Sequence, residues 1–169
     1  NMQSHGEWIA LENGDMLWKI KIHSPGALSL ELFYDDFYIP EGAELHLYSE
    51  DLTDYIGPYT ATNNSKSGYF SSHMVKGETT ILEYYEPADV AGIGRISIED
   101  VGYRYRDLAL NDDGRADPCQ VDVNCPEGDD WQDEKHGVLR LRITTAGGGL
   151  SYCSGSLINN TALDCTPYV

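Results

Sequence analysis

The chain has 169 residues, of which 28 are acidic and 11 are basic, so its formal net charge is −17. This charge repels phosphate backbones and anionic bilayers, which argues against nucleic acid and membrane surfaces as partners. With 41% hydrophobic residues and 12 tyrosines the chain is too apolar for a disordered acidic tail. No apolar run approaches the roughly 20 residues of a membrane-spanning helix.

Apolar and polar residues alternate with a period of two through most of residues 1–106. Trp18, Ile20 and Ile22, for example, alternate with lysines, and turn signals rich in Pro, Gly and Asn separate the runs. We therefore predict an all-β chain with less than about a tenth helix, in which residues 1–106 form an antiparallel, jelly-roll-like β-sandwich. The predicted strands are 15–22, 27–35, 43–49, 67–75, 79–85 and 93–105.

The composition changes after residue 106, where residues 107–135 contain ten acidic and two basic residues. We interpret residues 107–118 as an acidic linker between two domains. Arg115 is the single basic residue between Arg106 and Lys135. Because proteolysis concentrates in exposed linkers, the sequence predicts a processing site at or near Arg115.

The segment Asn111–Asp117 has the composition of a calcium-binding loop but not its register. Counting back from the loop glycine places Ala109 at the position of the first ligating carboxylate. We therefore predict neither a metal site nor any other cofactor.

A strand pattern returns after Gly137. Leucine and isoleucine at 139, 141 and 143 alternate with Arg140 and Arg142, and a glycine triplet precedes a second apolar run at 150–158. This pattern predicts a β-hairpin with Cys153 in its second strand.

The four cysteines, Cys119, Cys125, Cys153 and Cys165, all lie in the last third of the chain. None forms a Cys-x-x-Cys pair, which argues against a zinc ribbon or a thioredoxin-like site. An acidic, tyrosine-rich chain with two Asn-x-Ser/Thr sequons favours an exported protein with disulfides. If the chain were a complete small protein, disulfides between cysteines that are close in sequence would pair Cys119 with Cys125 and Cys153 with Cys165.

Two motifs resemble a known family. Cys-Ser-Gly-Ser-Leu-Ile at 153–158, followed by Thr-Pro-Tyr-Val at 166–169, resembles the segment that leads to the catalytic histidine in trypsin-like serine proteases. Upstream, Cys-Gln-Val-Asp-Val-Asn-Cys-Pro-Glu-Gly at 119–128 resembles the start of the mature bacterial lysyl endopeptidases. The resemblance covers residues 119–169, and it places residues 1–106 where that family carries its N-terminal pro-region.

The resemblance implies that 119–169 contributes the first strands of a chymotrypsin-like β-barrel in a secreted endopeptidase precursor. It implies cleavage after lysine or arginine, with the sandwich as chaperone or inhibitor. Separately, the polar residues 1–7 lack the pattern of a signal peptide, so we expect none in this chain. The partners would be the remainder of the protease domain and a protein or peptide substrate. Because the chain stops at Val169, before the family's catalytic histidine, we expect no catalytic residue in it and no activity from it alone.

The same resemblance places the disulfide partners of Cys119, Cys125 and Cys153 beyond Val169. We therefore expect Cys119 and Cys125 not to be bonded to each other. The five histidines lack a nucleophile and an orienting carboxylate in sequence, so we expect them to lie at the surface.

Two alternatives remain open. Residues 1–106 could be a module that binds carbohydrate or a cell-surface partner, attached to a protease-like scaffold, or the scaffold could have lost catalysis and serve adhesion. Carbohydrate binding would require several coplanar exposed aromatic rings, whereas we expect about half of the candidates to be core residues or cross-strand pairs. The candidates are Tyr34, Phe37, Tyr38, Tyr48, Tyr55, Tyr59, Tyr69, Tyr84 and Tyr85.

Overall fold

The computed structural model describes residues 1–105, 124–144, 150–158 and 161. The chain divides into two compact units, Asn1–Leu108 and Ala109–Val169. Strands account for 50% and helices for 13% of the structure, and the sheets are antiparallel. The all-β, sandwich-like class is therefore confirmed, although the helical fraction slightly exceeds the predicted tenth.

The first unit contains nine strands in two sheets. The larger sheet has the order β1-β2-β8-β4-β5, and in the smaller sheet β3 pairs with β9 on one side and with β6 and β7 on the other. The strands are β1 (Glu7–Ala10), β2 (Met16–His23), β3 (Ser29–Tyr38), β4 (Glu44–Ser49), β5 (Tyr55–Tyr59), β6 (Phe70–Ser71), β7 (Val75–Lys76), β8 (Thr79–Glu86) and β9 (Arg95–Arg104).

A shared hydrophobic core joins the two sheets because alternate residues of each strand point inward. Trp18 of β2 is 1% exposed, and its indole Nε1 donates a 2.8 Å hydrogen bond to the carbonyl of His5. Gly6 passes so close to this ring that a Cβ there would lie 2.4 Å from Nε1. The largest fully buried apolar and aromatic side chains besides Trp18 are Tyr34, Tyr84, Phe37, Leu30, Leu32, Ile39, Leu45, Leu47, Leu82 and Ile96.

Two strands were absent from the sequence prediction, and one predicted strand is interrupted. All four residues of β1 are exposed, so β1 carries no alternation. β5 contains Gly57 and Pro58, which normally indicate a turn. The predicted strand at 67–75 divides into β6 and β7, and between them the Ser72 hydroxyl accepts a 3.1 Å hydrogen bond from the backbone N–H of Leu32.

In the described part of the second unit, a 3-10 helix, Pro126–Trp131, is followed by the short helix α1 (Gln132–His136). Proline at the first helical position and acidic residues in the first turn favour this start. Neither helix was predicted from the sequence. The predicted hairpin is confirmed as β10 (Val138–Thr144) paired with β11 (Leu150–Ser156).

The strands of the described residues do not close into a barrel, and β10 and β11 form a separate two-stranded sheet, so the chymotrypsin-like barrel stays a prediction. Among the same residues, no helix is long and apolar enough to cross a bilayer.

Candidate functional site

The hairpin β10–β11 carries the cysteine motif, and its register places the apolar residues on one face. Leu139 lies opposite Gly155, Leu141 opposite Cys153, and Ile143 opposite Ser151. The arginines of β10 point to the other face because side chains alternate along a strand. The hairpin continues past its last pair, since the backbone N–H of Leu157 donates a 2.7 Å hydrogen bond to the carbonyl of Gly137.

Gly155 is required by packing within this hairpin. A Cβ at this position would lie 2.9 Å from Cδ1 and 3.1 Å from Cγ of Leu141, which occupies the space above the glycine. The sequence motif Cys-x-Gly therefore has a local reason, because the glycine admits the leucine of the neighbouring strand. The face is nevertheless incompletely covered, with Ile143 46% exposed and Cys153 exposed.

Both cysteines within the described residues, Cys125 and Cys153, are free thiols and exposed. Cys125 directly precedes the 3-10 helix, and Cys153 lies in the middle of β11. Cys119 and Cys165 lie outside the described residues, as do the predicted processing site Arg115, the Asn111–Asp117 segment and the motif at 166–169.

The aromatic residues of the sandwich test the carbohydrate-binding alternative. Five of the nine candidates, Tyr34, Phe37, Tyr48, Tyr59 and Tyr84, are buried, as expected for core residues. The two exposed ones are Tyr55 and Tyr69, at 56% and 64% exposure. Of the nine candidates, the described structure exposes two rings rather than the several that carbohydrate binding would require, so they add no support for this alternative.

Four of the five histidines are exposed, as predicted, and the exception is His46 in β4. Its side chain is 18% exposed and lies on the outer face of the larger sheet. Its Nε2 lies 3.1 Å from a carboxylate oxygen of Glu44, and its Nδ1 is hydrogen-bonded to the hydroxyl of Tyr55. Among the histidines of the described residues, His46 alone has a carboxylate at one ring nitrogen and a hydroxyl at the other.

The contact between His46 and Tyr55 was not predicted from the sequence, because Tyr55 belongs to β5, one of the two strands that the prediction lacked. The register shift between β4 and β5 lies between Leu45 and Leu47, directly at His46. β-bulges commonly redirect a side chain at such places. One residue in the sequence could have indicated this group. Gly57 follows the alternating segment of β4, and a glycine within a strand often marks a place where another part of the chain approaches the backbone closely.

Charged residues surround His46 on the same face. Glu83, its cross-strand neighbour, accepts hydrogen bonds from Tyr48 at 2.8 Å and from Lys19 at 2.8 Å. The hydrogen bond to Glu83 raises the pKa of Lys19 well above its usual range. Burial acts to raise the pKa of Glu83, but the Lys19 and Tyr48 hydrogen bonds outweigh it and leave that pKa lowered.

The hairpin and its flanking segment can be compared with known families. Residues 113–169 match the family model described as lysyl endopeptidase, C-terminal domain. Over residues 113–169, the chain is similar to lysyl endopeptidases. The match includes all four cysteines and both motifs that carried the resemblance in the sequence. No solved structure matches the chain.

The relation to lysyl endopeptidases lies in the second unit, since the match begins at residue 113. Within the described residues, no group of histidine, cysteine, aspartate and glutamate side chains is arranged to hold a metal ion.

Proposed function

We propose that this chain is the N-terminal part of a secreted, trypsin-like serine endopeptidase precursor, which hydrolyses peptide bonds after lysine or arginine. In the precursor, the sandwich serves as the pro-region, and residues 119–169 contribute the first strands of the protease domain. The residues of the catalytic triad would follow these strands. The observation that carries the proposal is the lysyl endopeptidase match, which begins directly after a separately folded β-sandwich.

Three features support a pro-region role for the sandwich. It forms a compact unit with its own core, so it can fold before the protease domain is complete. It precedes the matched region in the chain, as a folding assistant or inhibitor must. Between residues 1 and 108 the acidic residues outnumber the basic ones by 18 to 7, which suits contact with a basic partner surface.

Removal of the sandwich at Arg115 would convert the precursor into the active enzyme. Arg115 lies within an acidic stretch, four residues before the first cysteine of the matched region. A trypsin-like enzyme recognises a basic side chain before the scissile bond, so the same specificity would allow the precursor to process itself.

The test is expression of the precursor with the substitution Arg115→Gln, followed by N-terminal sequencing of the secreted product and an assay on a lysyl or arginyl peptide ester. We expect the wild-type product to begin within a few residues after Arg115 and the variant to accumulate as inactive precursor. Lys135→Gln is the matched control, because Lys135 is the next basic residue along the chain and should not affect processing. A mature N-terminus upstream of Arg106, or equal processing of Arg115→Gln, would contradict the proposal.

A further inference from the structure

The outer face of the larger sheet carries a chain of three hydrogen-bonded side chains, Glu44, His46 and Tyr55. We propose that Tyr55 is an activated nucleophile, a modification site for activated acyl donors, with His46 as its general base and Glu44 as the positioning residue. This inference is independent of the proposed protease function, because all three residues belong to the sandwich.

The carboxylate determines which nitrogen of His46 carries the proton. Glu44 is an acceptor, so the Nε2 that lies 3.1 Å from it must carry the hydrogen in the neutral imidazole. The Nδ1 is then an acceptor and takes the hydrogen bond that the Tyr55 hydroxyl donates. A hydroxyl bonded to a base, with the base oriented by a carboxylate, is the arrangement that activates nucleophiles in enzymes.

The surrounding residues hold this arrangement in place. The ring of Tyr48 is 9% exposed and lies nearly parallel to that of Tyr55, at 14° and 6.5 Å between centroids. The hydroxyl of Tyr48 donates to Glu83, which fixes the ring. At Gly57 the backbone φ is +135°, which favours glycine, and a Cβ would lie 3.1 Å from Nδ1 of His46, a tight contact that the glycine avoids.

The charged groups that face His46 come from each neighbouring strand. Glu44 lies on its own strand, and Glu83 lies opposite on β8 with Lys19 of β2 beyond it. Glu83 is already bonded to Lys19, which leaves Glu44 as the hydrogen-bonding carboxylate of His46. Because Tyr55 is 56% exposed, a small reagent from solution can reach its oxygen.

The reaction with an acyl donor such as N-acetylimidazole balances without a further reactant. The phenol oxygen of Tyr55 attacks the acyl carbon, a C–O bond forms, and the phenolic proton passes to Nδ1 of His46. The bond between the acyl carbon and the reagent's imidazole breaks, and the leaving imidazole takes a proton from His46 or from water. The product is an O-acetyltyrosine, and His46 returns to its neutral form.

The experiment treats the full chain with N-acetylimidazole and follows acetylation of each tyrosine by peptide mass spectrometry. Tyr69 is the internal control, because it is 64% exposed and therefore at least as accessible. General-base assistance typically contributes about 10²–10⁴-fold, so we expect Tyr55 to react at least about tenfold faster than Tyr69. Rates within about twofold of each other would overturn the proposal.

Two variants distinguish activation from mere exposure. His46→Gln should reduce the Tyr55 rate to that of Tyr69, whereas the Tyr69 rate stays unchanged and reports that the fold is intact. Glu44→Gln should slow Tyr55 several-fold, since an amide no longer determines the tautomer. If the acetylation rate of Tyr55 is unchanged in His46→Gln, His46 is not its general base. If that rate is unchanged in Glu44→Gln, Glu44 does not position His46.

Discussion

At the scale of single residues, buried carboxylates hold one end of the sandwich together. Glu86, at the end of β8, is 2% exposed and accepts three hydrogen bonds. The donors are the Tyr84 hydroxyl at 3.0 Å and the backbone N–H groups of Gly92 and Gly94 at 2.8 and 3.1 Å. Its neighbour in space, Asp15, has its pKa lowered by hydrogen bonds from Tyr85 and from the backbone of residue 88.

Loss of the Glu86 carboxylate should therefore destabilise the sandwich strongly. Glu86→Ala leaves the buried Tyr84 hydroxyl and two part-buried backbone N–H groups without their acceptor, and we expect a loss of about 1–3 kcal/mol in the free energy of unfolding. Urea denaturation followed by tryptophan fluorescence measures this change. The matched control is Glu50→Ala, which removes an exposed glutamate whose ion pair with Lys21 lies at the surface, and it should change stability much less than Glu86→Ala does. Equal effects of the two substitutions would contradict this account of the Glu86 site.

At the scale of elements, the hairpin β10–β11 shows how a motif can serve packing as well as function. Leu141 fills the space above Gly155, so the two residues form one packing unit. Alternation and the glycine triplet predicted the hairpin from the sequence. They do not show which residue of the neighbouring strand packs over Gly155, because that depends on the register in which β10 and β11 pair.

The packing unit predicts a compensating pair of substitutions. Gly155→Val should weaken the hairpin, because the added side chain meets Leu141, and hydrogen exchange of the β10 and β11 amides should accelerate. Leu141→Ala vacates that space, so the double variant Leu141→Ala with Gly155→Val should be less destabilised than the sum of the single ones. We expect a coupling of about 0.5–3 kcal/mol, the usual range for residues in contact. Strict additivity would mean that the two side chains do not meet.

At the scale of the whole molecule, acidic charge dominates both units. Acidic residues outnumber basic ones by 18 to 7 in residues 1–108 and by 10 to 4 in residues 109–169. The two arginines of β10 are thus a local basic face on an acidic unit. Any complementarity between the sandwich and a protease domain must therefore be local or lie outside this chain.

Self-repulsion of this charge should make the stability depend on salt. Raising sodium chloride from about 0.01 to 0.15 M shortens the Debye length from about 30 to 8 Å, which screens repulsion between distant carboxylates. We expect the melting temperature to rise over this range, because net charge far from zero destabilises the compact state. Calorimetry at constant pH measures the shift, and a melting temperature that falls with salt would show that favourable ion pairs outweigh the repulsion.

The sequence by itself determined the all-β class, the positions of five continuous strands in the sandwich, and the hairpin after Gly137. It also determined the relation to lysyl endopeptidases, because residue types at fixed spacing carry that information without reference to the fold. Only the tertiary structure revealed β1 and β5, since an exposed strand lacks alternation and a strand with Gly57 and Pro58 resembles a turn. It alone brought His46 and Tyr55 together. Their contact depends on a register shift between β4 and β5, and register is set by long-range pairing that no local pattern encodes.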